Sequence, residues 1–291
     1  MKSGFRSFHP ISGLLFYSLA FVCGMLSTHP LPLITGFVCS FIYDIKLRGT
    51  KAVSFMLKLV LPFILLSTLI NGFFNHHGEI VLFTLPGGDN FTLEAIIYGL
   101  VFSLRAGQTL MWLGSWNEVM TNDKVIFLFG RISPRIALLI SMALRFIPLI
   151  TEQSSVISRA QKGIGSAGAA ASFTERLKSG AHRLSILVSW TLERGIDTSD
   201  SMTARGYGLR GRTSYTAYRF SFKDTIFCAL LMTEAAIYAL SFGHFNSEYI
   251  PEIFIPTPDA LMTAASVFYL LIMLLPFIID VTEEKKWSIS V

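Results

Sequence analysis

From Ser7 to Tyr43 the chain carries no Lys, Arg, Asp or Glu. A water-soluble domain cannot spare so long a stretch from its surface, because charged side chains are what cover the outside of such folds. The run suits a bilayer, where one helical crossing takes about 20 apolar residues. His29-Pro30-Leu31-Pro32 interrupts it, and two prolines there end one helix and force a turn. The stretch therefore reads as a hairpin of two spans, about 11–28 and 31–44, the second short for a bilayer. Lys2 and Arg6 precede an apolar run that outlasts a signal peptide. The first segment is thus expected to stay as a membrane anchor.

The remaining spans follow from the same criterion. Residues of about 52–71 are apolar apart from Lys58, which lies close enough to the basic end to snorkel. A span of about 93–115 holds Arg105 near its middle, one of about 225–243 holds Glu234, and another runs over about 260–279. Only 15% of the residues are charged, against roughly 25% in soluble domains, so the whole chain fits an integral membrane protein. The net charge of +5 does not point to nucleic acid, since the basic residues sit among membrane-length runs and no nucleic-acid motif is present. Cys23, Cys39 and Cys228 stand singly in apolar stretches, as packing residues rather than zinc ligands or disulfides.

Charge is distributed unevenly. Residues 117–223 hold 15 of the 24 basic residues but 7 of the 19 acidic ones. The loops near 29–32, 71–92 and 244–259 contain no Lys or Arg. Basic loops stay in the cytoplasm, so the N-terminus, 44–51, 117–223 and the tail with Lys285-Lys286 are assigned inside. Six spans then alternate without contradiction. The expected organisation is an all-α membrane protein with N-terminal transmembrane helices over 1–116, a cytoplasmic region over 117–223, and C-terminal transmembrane helices with a short tail over 224–291.

Within the cytoplasmic region the apolar run Ile136–Ile150, broken by Arg145, is short for a span and continues as a helix to about Gly163. A second helix is expected from Thr174 to about Ala204, with Leu177, Ala181, Leu184, Val188 and Thr191 at helical spacing and Leu187 and Trp190 widening the stripe. Such a helix lies at a membrane surface or packs under membrane helices. Between the two helices Gly163–Ser172 is a hinge of small residues. The second helix runs into Ala204-Arg205-Gly206-Tyr207-Gly208. Gly206 is a natural left-handed terminator, and a cation in the last turn is favoured by the helix dipole. Taken alone, these residues read first as an ordinary helix end carrying positive-inside charge. A guanidinium flanked by Ala and Gly also suits docking into an acidic groove.

Leu144-Arg-Phe-Ile-Pro148, Arg159-Ala-Gln-Lys162 and Met202-Thr-Ala-Arg-Gly-Tyr207 with Arg212-Thr213 follow one another in the order of the energy-coupling factor T components. The chain resembles these CbiQ/EcfT-like membrane subunits of vitamin and metal-ion importers nearly end to end. The resemblance implies six transmembrane helices and two crossing cytoplasmic coupling helices, each ending in an Ala-Arg-Gly-type tip. It implies that the tips dock on a pair of ABC-type ATPases, and that a separate membrane S component binds the substrate. Carried onto this chain, Ala204, Arg205 and Gly206 form the second tip. The first falls within Ala160–Gly165, where Ile164 stands in the place expected for Arg, and Arg159 or Lys162 are its candidate substitutes.

Other signals carry less. Gly163-Ile-Gly-Ser-Ala-Gly168 matches a dinucleotide-binding pattern by letter but follows a helix rather than a strand. No Walker A sequence occurs, so ATP binding by this chain is not expected, and no cofactor or metal is implied. His76-His77 lacks further ligands. Asp197 and Asp200 lack the second acidic cluster that Mg²⁺-pyrophosphate chemistry requires. Arg105 and Glu234 are intramembrane ions, readable as a buried structural pair, as caps near a helix end or as the lining of a path. Besides a non-catalytic scaffold in the cell membrane, the residues thus leave open a stand-alone transporter or channel. A membrane enzyme is disfavoured for want of a nucleophile or metal constellation.

Overall fold

His9-Pro10 and His29-Pro30 open the first two helices in the same way. Proline at the first helical position lacks an N–H that would have no partner there, and its fixed φ suits the helix. The preceding histidine caps the next free donor: Nδ1 of His9 accepts from the Ile11 N–H at 3.3 Å, and Nδ1 of His29 accepts from the Leu31 N–H at 3.2 Å. The expected hairpin is thus present, α1 over Pro10–Leu26 and α2 over Pro30–Arg48. Its prolines begin the second helix as much as they end the first. This computed structural model describes residues 4–76, 78–84, 90–164, 172–207, 209, 218–241, 243, 247–249, 253–257 and 259–289.

After Gly49 the chain forms α3 (Thr50–Phe55), a π-helical turn (Met56–Val60) and α4 (Leu61–Phe74) as one continuous rod. Pro62 cannot donate to the carbonyl of Lys58, four residues back, and the π turn sits at that break in the ladder. A short antiparallel pair, β1 (Val81–Thr84) and β2 (Asn90–Thr92), precedes α5 (Leu93–Val119). Then come α6 (Asn122–Ile132), α7 (Pro134–Gly163), α8 (Phe173–Ala204), α9 (Phe222–Leu240) and α10 (Ala260–Ile289). Among the described residues the fold is all-α apart from that small hairpin, where Phe83 stacks on Phe91 at 4.5 Å, and one antiparallel bridge between Glu248 and Phe254.

The chain divides into two compact units, Met1–Val125 with Tyr218–Val291, and Ile126–Ala217. In the first, α5 packs against α1, α2 and α4, while α10 packs on α2 and α9. Its core is aromatic: Phe16 meets Trp112 edge-on at 5.4 Å, and Phe5 meets Phe16 and Phe227 at 5.5 Å each. Glycines let helices approach: a Cβ on Gly99 would lie 3.2 Å from the Thr68 backbone of α4, and one on Gly24 2.9 Å from Nε2 of Gln108. That amide donates to the Tyr269 hydroxyl at 3.2 Å. Asp224 joins the starts of α1 and α9, accepting from the His9 N–H at 2.9 Å, the Ser12 hydroxyl at 3.1 Å and the Ser221 N–H at 2.9 Å.

Among the described residues six helices are long and apolar enough to cross a membrane: Pro30–Arg48, Thr50–Phe74, Leu93–Val119, Arg135–Gly163, Phe222–Ser241 and Ala260–Lys286. The protein is therefore a multi-pass membrane protein. This set differs from the sequence-based six in two places. Pro10–Leu26 is shorter, at 17 residues, though Phe16 and Tyr17 on it are wholly buried in the helical bundle. Arg135–Gly163 qualifies because the helix continues to Gly163, as the sequence led us to expect, and so gains the length that the apolar run Ile136–Ile150 lacks on its own.

Candidate functional site

The end of α8 is built by its last four residues and Gly206. Arg205 is the C-cap, with φ −85° and ψ 10°. Gly206 follows at φ 77°, the left-handed conformation predicted from its identity. The Gly206 N–H donates to the Thr203 carbonyl at 3.0 Å, and the Tyr207 N–H donates to the Met202 carbonyl at 3.0 Å. These two bonds are a Schellman closure. They fix the backbone so that Ala204 and Arg205 stand exposed at the tip. Arg210, Arg212 and Thr213 lie outside the described residues.

The first tip has a C-cap of the same conformation and different chemistry. α7 ends at Gly163, and its C-cap is Ile164, with φ −86° and ψ 1°. Ile164 is 82% exposed. It occupies the backbone position that Arg205 occupies on α8, so the first tip presents a branched apolar side chain where the second presents a cation. Arg159 and Lys162 are exposed on the last turns of α7, while Gln161 between them is buried. The glycine-rich hinge from 165 to 171, which contains most of the dinucleotide-like pattern, lies outside the described residues.

α7 and α8 form an antiparallel pair. Nη1 of Arg183 reaches the Ser158 hydroxyl at 3.4 Å and Nη2 reaches that of Ser179 at 3.1 Å, close to buried Ile157 and Gln161. The two tips therefore stand at opposite ends of the pair, which at 1.5 Å per residue is about 45 Å long. Leu177, Leu184 and Val188, the stripe picked out in the sequence, do not pack on α7. They remain exposed, together with Leu192 and Ile196 further along the helix. The face turned to α7 instead uses Ser179, Arg183, Thr198 and Met202.

Away from the Ser158–Arg183 contact the pair opens into a cleft of about 550 Å³ between the first half of α7 and the second half of α8. Its charged lining is Arg145, Arg194, Arg205 and Asp197. Leu138, Met142, Phe146 and Leu149 form its apolar side. Arg194 also lies over the Trp190 ring at 5.5 Å. None of the three arginines belongs to an ion pair among the described residues. In the sequence Arg145 reads as a break in an apolar run and as part of the Leu144–Pro148 motif, with no binding role attached to it. The signal for the cleft is the eleven-residue step from Arg194 to Arg205, three helical turns and hence one face.

The intramembrane ions make no ion pair with each other among the described residues. Glu234 is 1% exposed, and among the described residues its Oε2 has no hydrogen-bond partner. Arg105 lines a separate cleft of about 220 Å³ with Thr28, Tyr98, Glu248 and Tyr249. The described ion pairs, Arg6–Glu118 at 2.7 Å, Lys46–Glu284 and Arg48–Asp44, include neither of them. All three instead gather at the bundle end that the charge pattern assigns to the cytoplasm. Among the described residues no cluster of metal ligands occurs, and His77 falls outside them.

Known proteins resemble this chain in sequence. A region of 102 residues is 35% identical to the energy-coupling factor transporter transmembrane protein EcfT of Bacillus selenitireducens, covering 35% of this chain and 38% of that one. The EcfT protein of Listeria innocua is 34% identical over 108 residues, 37% of this chain and 40% of that protein. The chain thus spans about two fifths of the length of these curated relatives. A putative ABC transporter ATP-binding protein of Bifidobacterium longum is 32% identical over 148 residues, 50% of this chain and 18% of that protein. The family described as Cobalt transport protein, CbiQ, matches residues 11–215. With a match over more than half of its length, the chain belongs to the CbiQ family.

Proposed function

We propose that this chain is the transmembrane scaffold, or T component, of an energy-coupling factor importer of the ABC type. It is a non-catalytic subunit. Partner ABC-type ATPases, two copies or a heterodimer, hydrolyse ATP, and their movement passes through α7 and α8 to a membrane S component that binds the substrate. The substrate class is a vitamin or metal ion, with selectivity residing in the S component. The observation that carries this reading is the exposed Arg205 at a closed helix end, between Ala204 and Gly206. A guanidinium held there offers several directed donors to an acidic groove without steric obstruction. Support comes also from the relatives named EcfT and from an ATP-binding protein that contains a region like this chain.

The two tips are unequal on this reading. The Ala-Arg-Gly tip makes the charged contact, and the α7 tip contributes Arg159 and Lys162 around an apolar Ile164. Orientation follows from parity. With six crossings that omit α7, every basic segment and both termini are cytoplasmic. If α7 crossed as well, residues 164–221, with eight basic and four acidic residues, would lie outside, as would Lys285 and Lys286. The amphipathic pair therefore lies along the cytoplasmic face of a bacterial-type cell membrane.

The test is co-expression with candidate ATPase subunits and purification through a tag on one of them. Wild type is expected to co-purify with the ATPases, and Arg205→Glu to lose them while still inserting in the membrane. Failure of wild type itself to retain ATPases would sink the scaffold reading.

A further inference from the structure

We propose that the cleft between α7 and α8 binds the phosphodiester headgroup of an anionic phospholipid, with Arg145 and Arg194 as its principal ligands. The inference rests on Arg145 and Arg194, with Arg205, the docking residue proposed above, only bordering the cleft. Three guanidiniums and one carboxylate line a cleft of about 550 Å³, and no described ion pair neutralises any of the three. Guanidinium matches phosphate oxygens in geometry and charge.

The other lining residues indicate where that phosphate comes from. Leu138, Met142, Phe146 and Leu149 extend the cleft as an apolar wall, which a free inorganic anion would not use. They lie on a helix whose hydropathy suits a membrane, with Ile136, Leu139 and Ile147 also exposed. An apolar helix face beside unpaired arginines is the pattern of a segment resting at the headgroup level, acyl chain against the wall and phosphate against the cations. Arg145 is set into this apolar run, which places its charge at the boundary between the two environments.

The experiment uses the full chain in dodecyl maltoside and follows its thermal unfolding as phosphatidylglycerol or phosphatidylcholine is added in mixed micelles. Phosphatidylglycerol is expected to raise the melting temperature in a saturable way, as a ligand of the folded state does, and phosphatidylcholine is not. Arg145→Gln combined with Arg194→Gln should abolish the shift; both side chains are exposed, so folding should survive. The charge-matched control Arg176→Gln with Lys178→Gln should keep it. An equal response to both lipids, or a shift that survives loss of Arg145 and Arg194, overturns the proposal. So does an equal shift from inorganic phosphate alone. Loss of ATPase co-purification in the Arg145/Arg194 variant without any lipid effect would assign the cleft to a protein partner instead. Loss of the lipid effect with co-purification intact supports the lipid site.

Discussion

Arg205 and Ile164 hold the same C-cap position on neighbouring helices, and this is where single side chains decide most. Ile164→Arg is expected to give the first tip the charge of the second without altering the helix, because its backbone already has the required angles. ATPase retention through a high-salt wash should increase; unchanged or weaker retention would show that the α7 tip does not dock through a cation. Gly206 was legible from sequence because only glycine enters the left-handed region without strain. The equivalence of Ile164 and Arg205 was only partly legible, since helix ends depend on which carbonyls find partners. A second residue-scale effect comes from Lys124, 3% exposed, whose ammonium burial pushes down to about 8 from 10.5. Arg6 pushes it further down and Asp224 opposes the shift. Between about pH 8 and 10 the unfolded chain holds more protons than the folded one, so stability rises with pH across that window. The rise should appear in melting curves of wild type and be absent from Lys124→Met.

At the scale of the helices, the central fact is how closely α1, α2, α5 and α10 meet around Gln108. A Cβ on Gly36 would overlap Nε2 of Gln108 and lie 2.9 Å from the Tyr269 hydroxyl. Gly36→Ala is therefore expected to lower stability by about 1–3 kcal/mol, the usual effect of overpacking a filled core. Thermal unfolding in detergent measures it. Gly163→Ala, in open space at the end of α7, serves as the control. Hydropathy revealed the helices well because charge-free runs are hard to place anywhere but in lipid. It did not reveal which face of α8 meets α7. The stripe through Leu177, Leu184 and Val188 has helical periodicity, but periodicity does not distinguish a face packed within the chain from one left for a membrane or another protein. The hydrogen bond across the pair runs from Arg183 to Ser158, with buried Ser179 holding the same guanidinium from within α8, and such polar residues give no hydropathy signal.

For the whole molecule, the positive-inside assignment makes a sided prediction. A cysteine introduced at Glu79 should react with a membrane-impermeant maleimide on intact cells, whereas one at Lys285 should react only after permeabilisation. The native background is low, since Cys23 and Cys39 are buried and Cys228 partly so. The reverse pattern would invert the topology and place α7 and α8 outside. The bundle is also closed by bonds between its first and last segments. The His9 N–H waits for Asp224, 215 residues later, the Phe5 N–H for Asp280, and the Cys23 carbonyl for the Tyr238 hydroxyl. At a synthesis rate of about 5–20 residues per second, roughly 10–55 s separate the birth of those groups from the arrival of their partners. During that interval the Phe5 and His9 N–H groups are expected to be held by water or lipid headgroups at the membrane surface, and the Cys23 carbonyl keeps its bond to the Ser27 N–H. The first hairpin is therefore a provisional structure whose final polar partners arrive with α9 and α10.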